Sequence, residues 1–570
     1  MTAASQEDWD HSVDLLVVGS GAGAMTAGIV AHDRGADVLL IEKSDRYGGS
    51  SAMSGGALWI PNNHFMTATD IHDSPEDAMD YLRSITEGMV SEERLRAYVD
   101  EAPDTLEYLC EKTHLDVECM SEYADYYPAA PGSKLGARTV EPKRFAGKRL
   151  GNEYRRLRDQ GLQCLIMGRV AMTSAEARVM LCRSAGWLML AFRLMLNYAL
   201  DIPWRLRSRR DRTCTMGNGL IAPLRLSLLD REVPLWLETP ARELIEEDGR
   251  VTGVVAEKDG RRVRIRARKG VILAAGGFEG NQSLREKYLP GPTRAEWTCA
   301  NPANEGDAIV MGEALGSGLA LMDDAWWGPT TVVPREDRAR MLVVEKSLPG
   351  GILVNKRGQR FVNEAAPYVD VVKVMHEKDR PEAPTVPSYL IFDATFRKSY
   401  PVGPFLQASQ QPDFTIPRRL KKAKYLKKAG TLRELAGQLG IDADGLEATV
   451  EKFNNDARDG KDPEFQRGET LFDRYYGDAE ATPNPCLRAI ETAPFYAIEV
   501  FPGELGTKGG LTTDERARVL REDGRVIDGL YAVGNCSASV MGPTYAGAGA
   551  TIGPAITFGY IAARHALTTR

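Results

Sequence analysis

The chain has 570 residues, a formal net charge of −7, and 43% hydrophobic and 26% charged residues. This length exceeds what one hydrophobic core supports, so two or more domains are expected, and the acidic balance gives no support to nucleic acid as a partner. The eight cysteines are scattered without a CxxC pair, which argues against a zinc or iron–sulfur site and a disulfide framework. No metal site is predicted. The N-terminus has no apolar signal segment, so a cytoplasmic location is expected.

A dinucleotide-binding fingerprint lies near the start of the chain. A short apolar run at 13–18 is typical of a buried parallel strand, and Gly19, Gly21 and Ala24 follow it at the GxGxxG/A spacing before a helical pattern. The glycines permit a tight turn and a close approach of the backbone to a pyrophosphate, and the third small residue lets the helix pack against the strand. A second apolar run ends in Glu42, which can bind a ribose. The order of these parts predicts a Rossmann-like domain for FAD or NAD.

The next loop favours FAD over NAD. SDRYGGSSAMSGGALWIPNN (44–63) is rich in backbone N–H groups and hydroxyls, which suits the rest of an FAD molecule. From this point the chain resembles flavoproteins of the fumarate reductase and succinate dehydrogenase superfamily, with further matching segments at 271–281, 529–535 and 549–566. The predicted residues that bind FAD non-covalently are Gly19, Ser20, Gly21, Ala22, Gly23, Ala24, Glu42, Lys43, Gly49, Ser50, Ser51, Ser54, Gly55, Gly56, Ala275, Gly276, Gly534, Asn535, Ala550 and Ile552.

The middle of the chain has a different pattern and predicts an inserted domain. Residues 350–370 alternate like a hairpin, and 430–460 carry two helical patterns, the first opened by Thr431 as N-cap with Glu434 three residues later. The fold class expected is α/β, with a Rossmann-like FAD-binding domain and an inserted α+β catalytic (cap) domain. The predicted boundaries are 1–322 and 491–570 for the two parts of the FAD-binding domain and 323–490 for the cap domain.

Four stretches carry a narrower resemblance, to the 3-ketosteroid Δ1-dehydrogenases. They are GGSSAMSGGALWIPNN, DYYPAAPG (125–132), RFVNEAAPYVD (360–370) and GNCSASVMGPTYAGAGATIGP (534–554). Members of that family remove hydrogens from C1 and C2 of a 3-ketosteroid A ring. The resemblance implies that Tyr545 and the N–H of Gly549 hold the C3 carbonyl oxygen, with glycine at 549 because a side chain would obstruct that approach. It implies that Tyr368 takes the C2 proton, that Tyr126 assists it, and that flavin N5 accepts hydride from C1.

Other interpretations remain open at this stage. Tyr127 is adjacent to Tyr126 and could take its role. A fumarate reductase-like or other ene-reductase activity is the alternative enzyme, but a dicarboxylate would require arginine and histidine clamps, and none of the seven histidines falls in the four stretches. A non-catalytic flavin-bearing membrane protein is a third interpretation. The C17 substituent of the substrate and the electron acceptor, for which a quinone is the candidate, are not specified.

An extra segment at about 145–225 departs from the family pattern. Within it, Gly186–Leu200 is nearly all apolar, aromatic residues flank the run, and five arginines follow by Arg212. The run is too short to span a bilayer, which requires about 20 apolar residues. Two interpretations stand: a buried core helix, or an interfacial helix at 186–204 that attaches 186–212 to the cytoplasmic face of a membrane.

Overall fold

The computed structural model describes residues 9–182 and 184–568. The helices are α1 Ala22–Asp33, α2 Gly49–Met53, α3 Pro75–Thr86, α4 Glu92–Lys112, α5 Ser174–Leu181, α6 Trp187–Leu200, α7 Ile202–Arg205, α8 Met216–Asp230, α9 Gln282–Tyr288, α10 Asp307–Ala314, α11 Tyr368–Lys378, α12 Ala394–Ser399, α13 Arg418–Lys422, α14 Leu432–Leu439, α15 Ala443–Arg458, α16 Leu471–Tyr475 and α17 Ile552–Thr568. The strands are β1 His11–Val18, β2 Val38–Ile41, β3 Leu58–Trp59, β4 Val117–Cys119, β5 Thr139–Pro142, β6 Phe145–Ala146, β7 Leu165–Ile166, β8 Val170–Ala171, β9 Thr213–Cys214, β10 Leu235–Trp236, β11 Ala241–Glu247, β12 Arg250–Lys258, β13 Arg261–Leu273, β14 Leu319–Ala320, β15 Ala325–Thr331, β16 Arg340–Met341, β17 Gly351–Val354, β18 Ser388–Phe392, β19 Lys427–Ala429, β20 Phe495–Thr507, β21 Gly510–Leu511, β22 Arg518–Leu520 and β23 Val526–Ala532.

The nucleotide-binding part is built on a sheet of eight strands in the order β10-β2-β1-β13-β12-β23-β22, with β11 added on β12. β1 pairs in parallel with β2 and β13, and β13 pairs in parallel with β23. The last four residues of β1 and all of β2 are buried, as expected for parallel strands covered on both faces. The first and last segments of the chain therefore meet in one sheet, which confirms the predicted α/β class.

Helices α1 and α17 pack face to face on this sheet. A Cβ placed on Gly23 would lie 2.6 Å from the carbonyl oxygen of Ala555, and one placed on Gly559 would lie 2.5 Å from the carbonyl oxygen of Gly23. The two backbones approach this closely because both contact positions lack a side chain. This packing brings the first turns of both helices to the same end of the sheet.

The cap part is built on a second sheet of six strands in the order β16-β15-β20-β18-β17, with β19 paired to β20. Its pairings are antiparallel. β20 (Phe495–Thr507) pairs with β15, β18 and β19 of this sheet. The division of the chain stays a proposal, and we propose that the cap extends to Thr507 instead of ending at residue 490.

Two local predictions in the cap have different outcomes. Thr431 and Glu434 form the predicted capping box at the start of α14. The predicted hairpin at 350–370 is confirmed only at its turn, where an antiparallel bridge joins Val354 to Arg360, and the rest of β17 pairs with β18. Arg360 is drawn into a buried ion cluster, where its Nη2 contacts Glu364 at 2.8 Å and Asp462 at 2.9 Å.

Candidate active site

A cavity of about 760 Å³ lies between the two sheets. It is lined by the predicted FAD-binding loops and by Tyr126, Tyr368, Tyr545 and Gly549. Every residue predicted to bind FAD lines it except Ala550, which contributes instead to a small pocket beside Arg94 and Phe558. Ala550 does not line the large cavity, because the chain turns through hydrogen bonds to the carbonyl oxygens of Gly547 and Gly549. That turn presents Thr551 and Ile552 to the cavity.

The end of the cavity at the start of α1 fits the diphosphate of FAD. Gly19 has φ +117, and a Cβ there would lie 2.2 Å from the carbonyl oxygen of Ala274. Any residue with a side chain would therefore clash with the backbone at this turn. Gly21 is the N-cap of α1 and has no side-chain capping bond, while the N–H of Ala22 donates to Ser51 Oγ at 3.2 Å. A helix start with free N–H groups in a wall of glycine and serine is a site for phosphate.

The acid predicted for the ribose is held in place at the same end. Glu42 is buried, its Oε2 accepts from Ser20 Oγ, and its Oε1 accepts from the N–H of Ser44 at 2.9 Å. Lys43 also lines the cavity and its Nζ pairs with Asp307 at 2.6 Å. An acceptor fixed in this way suits the hydroxyls of a ribose. The residues present therefore fit FAD.

Three tyrosines from distant parts of the sequence meet at the wall of this cavity. Tyr126 Oη donates to Tyr368 Oη at 2.9 Å. The ring of Tyr545 has its centroid 5.3 Å from that of Tyr126 and 5.5 Å from that of Tyr368. Tyr368 is the first residue of α11 and thus comes from the cap, whereas Tyr126 and Tyr545 come from loops of the FAD-binding part.

Gly549 lies against the hydroxyl of Tyr545. The hydroxyl of Tyr545 lies 2.9 Å from Thr551 Oγ1, and the hydroxyl of Tyr368 and the backbone N–H of Gly549 lie close enough to it to lower its pKa. Gly549 has φ +95, and a Cβ there would lie 2.5 Å from the backbone of Ala57 and Leu58. Glycine is therefore required here by backbone conformation and packing, a stronger reason than the substrate clearance expected from the sequence.

Burial controls the ionisation of these phenols. Burial raises the pKa of Tyr368 well above its usual value, and the nearby phenol of Tyr545 adds to this, while the hydrogen bond from Tyr126 lowers it. Burial also raises the pKa of Tyr545, and its hydrogen bonds with Thr551, Tyr368 and Gly549 oppose the rise. At neutral pH both phenols are hydroxyl donors in the ligand-free protein.

The structure distinguishes Tyr126 from Tyr127. Tyr126 contacts Tyr368, whereas Tyr127 Oη donates to Asp370 Oδ1 at 3.2 Å on another side of the loop. Sequence reasoning missed two further tyrosines of this cluster, Tyr123 and Tyr476. Tyr123 Oη lies 3.4 Å from Tyr126 Oη and 2.9 Å from Tyr476 Oη. The doublet at 475–476 resembles the one at 126–127 and was the available signal.

The cationic side chains beside this part of the cavity are already paired. Arg178 bonds Glu122 and lies over the ring of Tyr475, and Arg340 contacts Glu336 at 2.7 Å. Among the described residues that line the cavity there is no histidine. The walls contributed by residues 162–191 are mainly apolar and include methionine, leucine, isoleucine and tryptophan side chains.

Helix α6 forms part of this wall and is not a core helix. Trp187 and Ala191 line the cavity, while Leu188, Met189 and Phe192 are 62%, 71% and 64% exposed. The core-helix interpretation is wrong because, among the described residues, only one side of α6 packs against other parts of the protein. Within residues 9–182 and 184–568, no helix has the length and apolar character needed to cross a membrane.

The arginines after α6 are less available than the sequence suggested. Arg205 bonds the carbonyl oxygens of Arg209 and Arg210, Arg210 bonds Asn218, and Arg212 bonds Asp201. Arg207 and Arg209 have exposed side chains. The basic character of the surface beside α6 therefore rests on these two side chains.

The fold and the cavity define an FAD-dependent oxidoreductase, and the FAD binding domain family matches residues 14–552. The chain is 42% identical over 563 residues to the 3-oxosteroid 1-dehydrogenase of Mycobacterium tuberculosis, covering 97% of this chain and 98% of that protein. The chain belongs to the 3-oxosteroid 1-dehydrogenase family. Both FAD and the family expected from the sequence are thereby confirmed.

Two further similarities frame the question of substrate. The chain is similar to a crystal structure of 3-ketosteroid Δ1-dehydrogenase from Sterolibacterium denitrificans in complex with 1,4-androstadiene-3,17-dione, with a TM-score of 0.95, 48% identity, and coverage of 98% of this chain and 100% of that chain. It is also 35% identical over 566 residues to 4-oxocyclohexanecarboxylate 2-dehydrogenase of Sinomonas cyclohexanicum, covering 97% of this chain and 92% of that protein. The compounds named with these two relatives are both cyclic ketones, and the two ketones differ in size and charge.

Proposed function

We propose that the enzyme introduces a C1–C2 double bond into the A ring of 3-ketosteroids. The observation that carries the proposal is the convergence of Tyr126, Tyr368 and Tyr545 beside the N–H of Gly549, at the wall of the cavity that the FAD-binding loops also line. When bound, FAD supplies the acceptor for the hydride that leaves C1. The protein must then polarise the C3 carbonyl and remove the C2 proton.

Tyr545 and Gly549 are the proposed donors to the C3 oxygen. Both residues line the cavity, and the N–H of Gly549 lies close enough to the Tyr545 hydroxyl to lower its pKa, so a carbonyl oxygen placed between them would receive two hydrogen bonds. Loss of the C2 proton moves negative charge onto that oxygen, and preorganised donors stabilise the charge in a buried site. The left-handed conformation of Gly549 fixes the direction of its N–H.

Tyr368 is the proposed base for the C2 proton. A buried phenol with a raised pKa is a poor base, so its phenolate must be stabilised at the moment of transfer. Tyr126 donates to its oxygen, and the hydroxyls of Tyr123 and Tyr476 continue the series of hydrogen bonds beyond Tyr126. The start of α11 at Tyr368 adds the positive end of a helix dipole.

The composition of the wall favours a steroid over an acid. A dicarboxylate, or the carboxylate of a small oxo acid, would require an unpaired cation, and Arg178 and Arg340 are both paired. Phenols and apolar side chains suit a flat hydrocarbon with one carbonyl. We extend the proposal to bulky C17 substituents, since residues 162–191 supply a long apolar wall.

Anaerobic mixing of the FAD-loaded enzyme with substrate tests this function. We expect a 3-keto-4-ene steroid to bleach the absorbance of the oxidised flavin, and a panel varying only at C17 to rank the substituents. Succinate and 4-oxocyclohexanecarboxylate are the matched controls and should leave the spectrum unchanged. Bleaching by either acid and not by the steroids, or reoxidation of the reduced enzyme by fumarate, would contradict the proposal.

The proposal includes peripheral attachment to the cytoplasmic face of a membrane through residues 186–212. It is supported by the outward apolar side chains of α6, because exposed leucine, methionine and phenylalanine beside exposed arginines fit a lipid interface. The same helix lines the cavity, so a substrate dissolved in lipid would enter beside it. A quinone-like electron acceptor from the bilayer is proposed for the same reason, and reoxidation by a soluble quinone but not by NAD would support it.

A further inference from the structure

The backbone beside Tyr545 is held by side chains from elsewhere in the fold. After Tyr545, the carbonyl oxygen of Ala546 accepts from Tyr81 Oη at 2.7 Å and from the N–H of Tyr126 at 3.1 Å. Before it, the carbonyl oxygen of Thr544 accepts from Lys508 Nζ at 3.0 Å. All three donors belong to the FAD-binding part, since Lys508 follows the last residue of β20, and they fix the loop against its own domain.

Two more bonds connect the cap helix that begins at Tyr368 to this part of the site, one to the loop of Tyr545 and one to the loop of Tyr127. Lys373 Nζ donates to the carbonyl oxygen of Pro543, and Asp370 Oδ1 accepts from Tyr127 Oη at 3.2 Å. The backbone N–H of Tyr545 lies close enough to the Tyr127 hydroxyl to lower its pKa. Lys373 is thus bonded to the backbone two residues before Tyr545, and Asp370 is bonded to the phenol beside the Tyr545 N–H.

The charges of this cluster are balanced by Asp324. Its Oδ2 lies 3.1 Å from Lys508 Nζ and 3.8 Å from Lys373 Nζ, and its Oδ1 accepts from Trp327 Nε1 at 2.8 Å. Asp324 thus lies between two ammonium groups that donate to neighbouring carbonyl oxygens. Lys508 is fully buried, while Lys373 is 37% exposed and is oriented by its bond to the Pro543 carbonyl oxygen.

We propose that Tyr127, Asp370 and Lys373 form a latch that fixes the distance between Tyr368 and Tyr545 across the boundary of the cap and the FAD-binding domain. The inference rests on the proposed function, in which Tyr368 and Tyr545 act on adjacent atoms of one ring. Both latch residues of α11 lie within two turns of Tyr368, so a shift of the helix is transmitted to the loop. These are positioning residues, since they touch the catalytic groups' backbone and helix and not the substrate.

The latch is tested with Tyr127→Phe and Lys373→Met in the FAD-loaded enzyme. Each variant should lower the limiting rate of flavin reduction by about tenfold, since misplacement by an ångström carries losses of that order or more. Substrate affinity should change little, and the isotope effect with a C2-deuterated steroid should rise because proton removal becomes slower. Lys373→Arg should restore part of the rate, since it can still donate to Pro543.

The matched control is Lys378→Met, on the same helix, where Nζ donates to the carbonyl oxygen of Phe361 at 3.0 Å instead of to the loop. A wild-type limiting rate and isotope effect in Tyr127→Phe and Lys373→Met, or an equal loss in Lys378→Met, would overturn the latch. If the variants bind substrate weakly but turn over normally, the latch is also overturned.

Amide hydrogen exchange separates failure of the latch from failure of the proposed function. In FAD-loaded enzyme without substrate, Tyr127→Phe and Lys373→Met should accelerate exchange at residues 544–546 by about tenfold, the loss of roughly one hydrogen bond, while Lys378→Met should not. Unchanged exchange would overturn the latch even if steroids reduce the flavin. If no 3-ketosteroid reduces the flavin of the wild-type enzyme, the proposed function is overturned. The exchange measurement would still test the latch.

Discussion

Two segments supply walls of the same cavity and are built in opposite ways. The loop at 541–552 consists of small residues around one tyrosine, and nearly all of it is buried. Its glycines contact other backbone or ring atoms, such as Gly547 against Trp59 and Gly549 against Ala57. The segment at 162–200 instead uses large apolar side chains, and α6 exposes most of its outer side.

We expect the two segments to have different roles: the first positions groups for the chemical step, and the second admits substrate to the cavity. Donors to a developing oxyanion must hold their positions to within a fraction of an ångström, and a loop packed backbone against backbone provides this. A wall that admits a lipid-like molecule requires apolar area but little precision. Changes in the first segment should therefore act on the rate of the chemical step, and changes in the second on where the enzyme resides and how substrate reaches it.

The largest effect is expected from Tyr545→Phe. Removing the hydroxyl takes one of two donors from the proposed C3 oxygen site while the ring remains to fill the space, and loss of one such donor costs about 10²–10³ in rate. The limiting rate of flavin reduction, measured by rapid anaerobic mixing, should fall by that factor with FAD retained. The control is Tyr496→Phe, whose hydroxyl donates to Asp413 at 2.9 Å outside the cavity lining. Loss of FAD in Tyr545→Phe would make this tyrosine structural.

Part of the site could be predicted from the sequence. The FAD fingerprint depends on spacing within about 30 residues, so local pattern was sufficient to predict it. Tyr126, Tyr368 and Tyr545 come from two loops and the start of a helix that are far apart in the sequence, and only resemblance to a family could suggest that they meet. Tyr123 and Tyr476 extend that cluster and lay outside every quoted stretch, so they were missed.

Other misses have local physical causes. Tyr126 and Tyr127 are neighbours in a loop, where successive side chains point apart, and no pattern decides which one meets Tyr368. The hairpin at 350–370 is limited to one bridge at its turn, because Arg360 belongs to a buried ion cluster with Glu364 and Asp462. The arginines after α6 read as a basic surface, yet Arg205, Arg210 and Arg212 bond groups of the chain itself. In the first two of these three places, the observed contacts depend on partners that are distant in the sequence.

A smaller effect with a pH signature is expected from Tyr126→Phe. Its hydrogen bond lowers the pKa of Tyr368, so its removal raises that pKa further and leaves less phenolate at a given pH. Below this pKa the phenolate fraction increases with pH, so the rate of flavin reduction should rise into the alkaline range and the variant's profile should be displaced to higher pH. At pH 7 the loss should be about tenfold, the scale of one hydrogen bond to a charged group.

Tyr127→Phe is the matched comparison for that profile. It removes a neighbouring phenol of the same loop that bonds Asp370 and not Tyr368. Its rate should be lower at every pH without displacement of the profile. Identical displacement in both variants would mean that the loop as a whole, and not the bond from Tyr126, sets the ionisation of Tyr368.

The smallest effect on the chemical step is expected from the outer side of α6. In Leu188→Ser/Met189→Ser/Phe192→Ser the side chains that line the cavity, Trp187 and Ala191, are unchanged. The limiting rate of flavin reduction with a dispersed steroid should stay within about twofold of wild type, because these side chains face outward, while flotation with vesicles of phosphatidylglycerol and phosphatidylethanolamine should fall by about tenfold as apolar contact is lost.

Substitution is a sharper test than deletion of 186–212, since deletion would also remove part of the cavity wall. The control Val310→Ser/Leu471→Ser changes apolar side chains that are 49% and 54% exposed on other helices. It should float with vesicles as wild type does. Equal flotation of all three proteins would refute attachment through α6, and a large fall in the chemical rate of the α6 variant would mean that the two walls of the cavity are not separable in function.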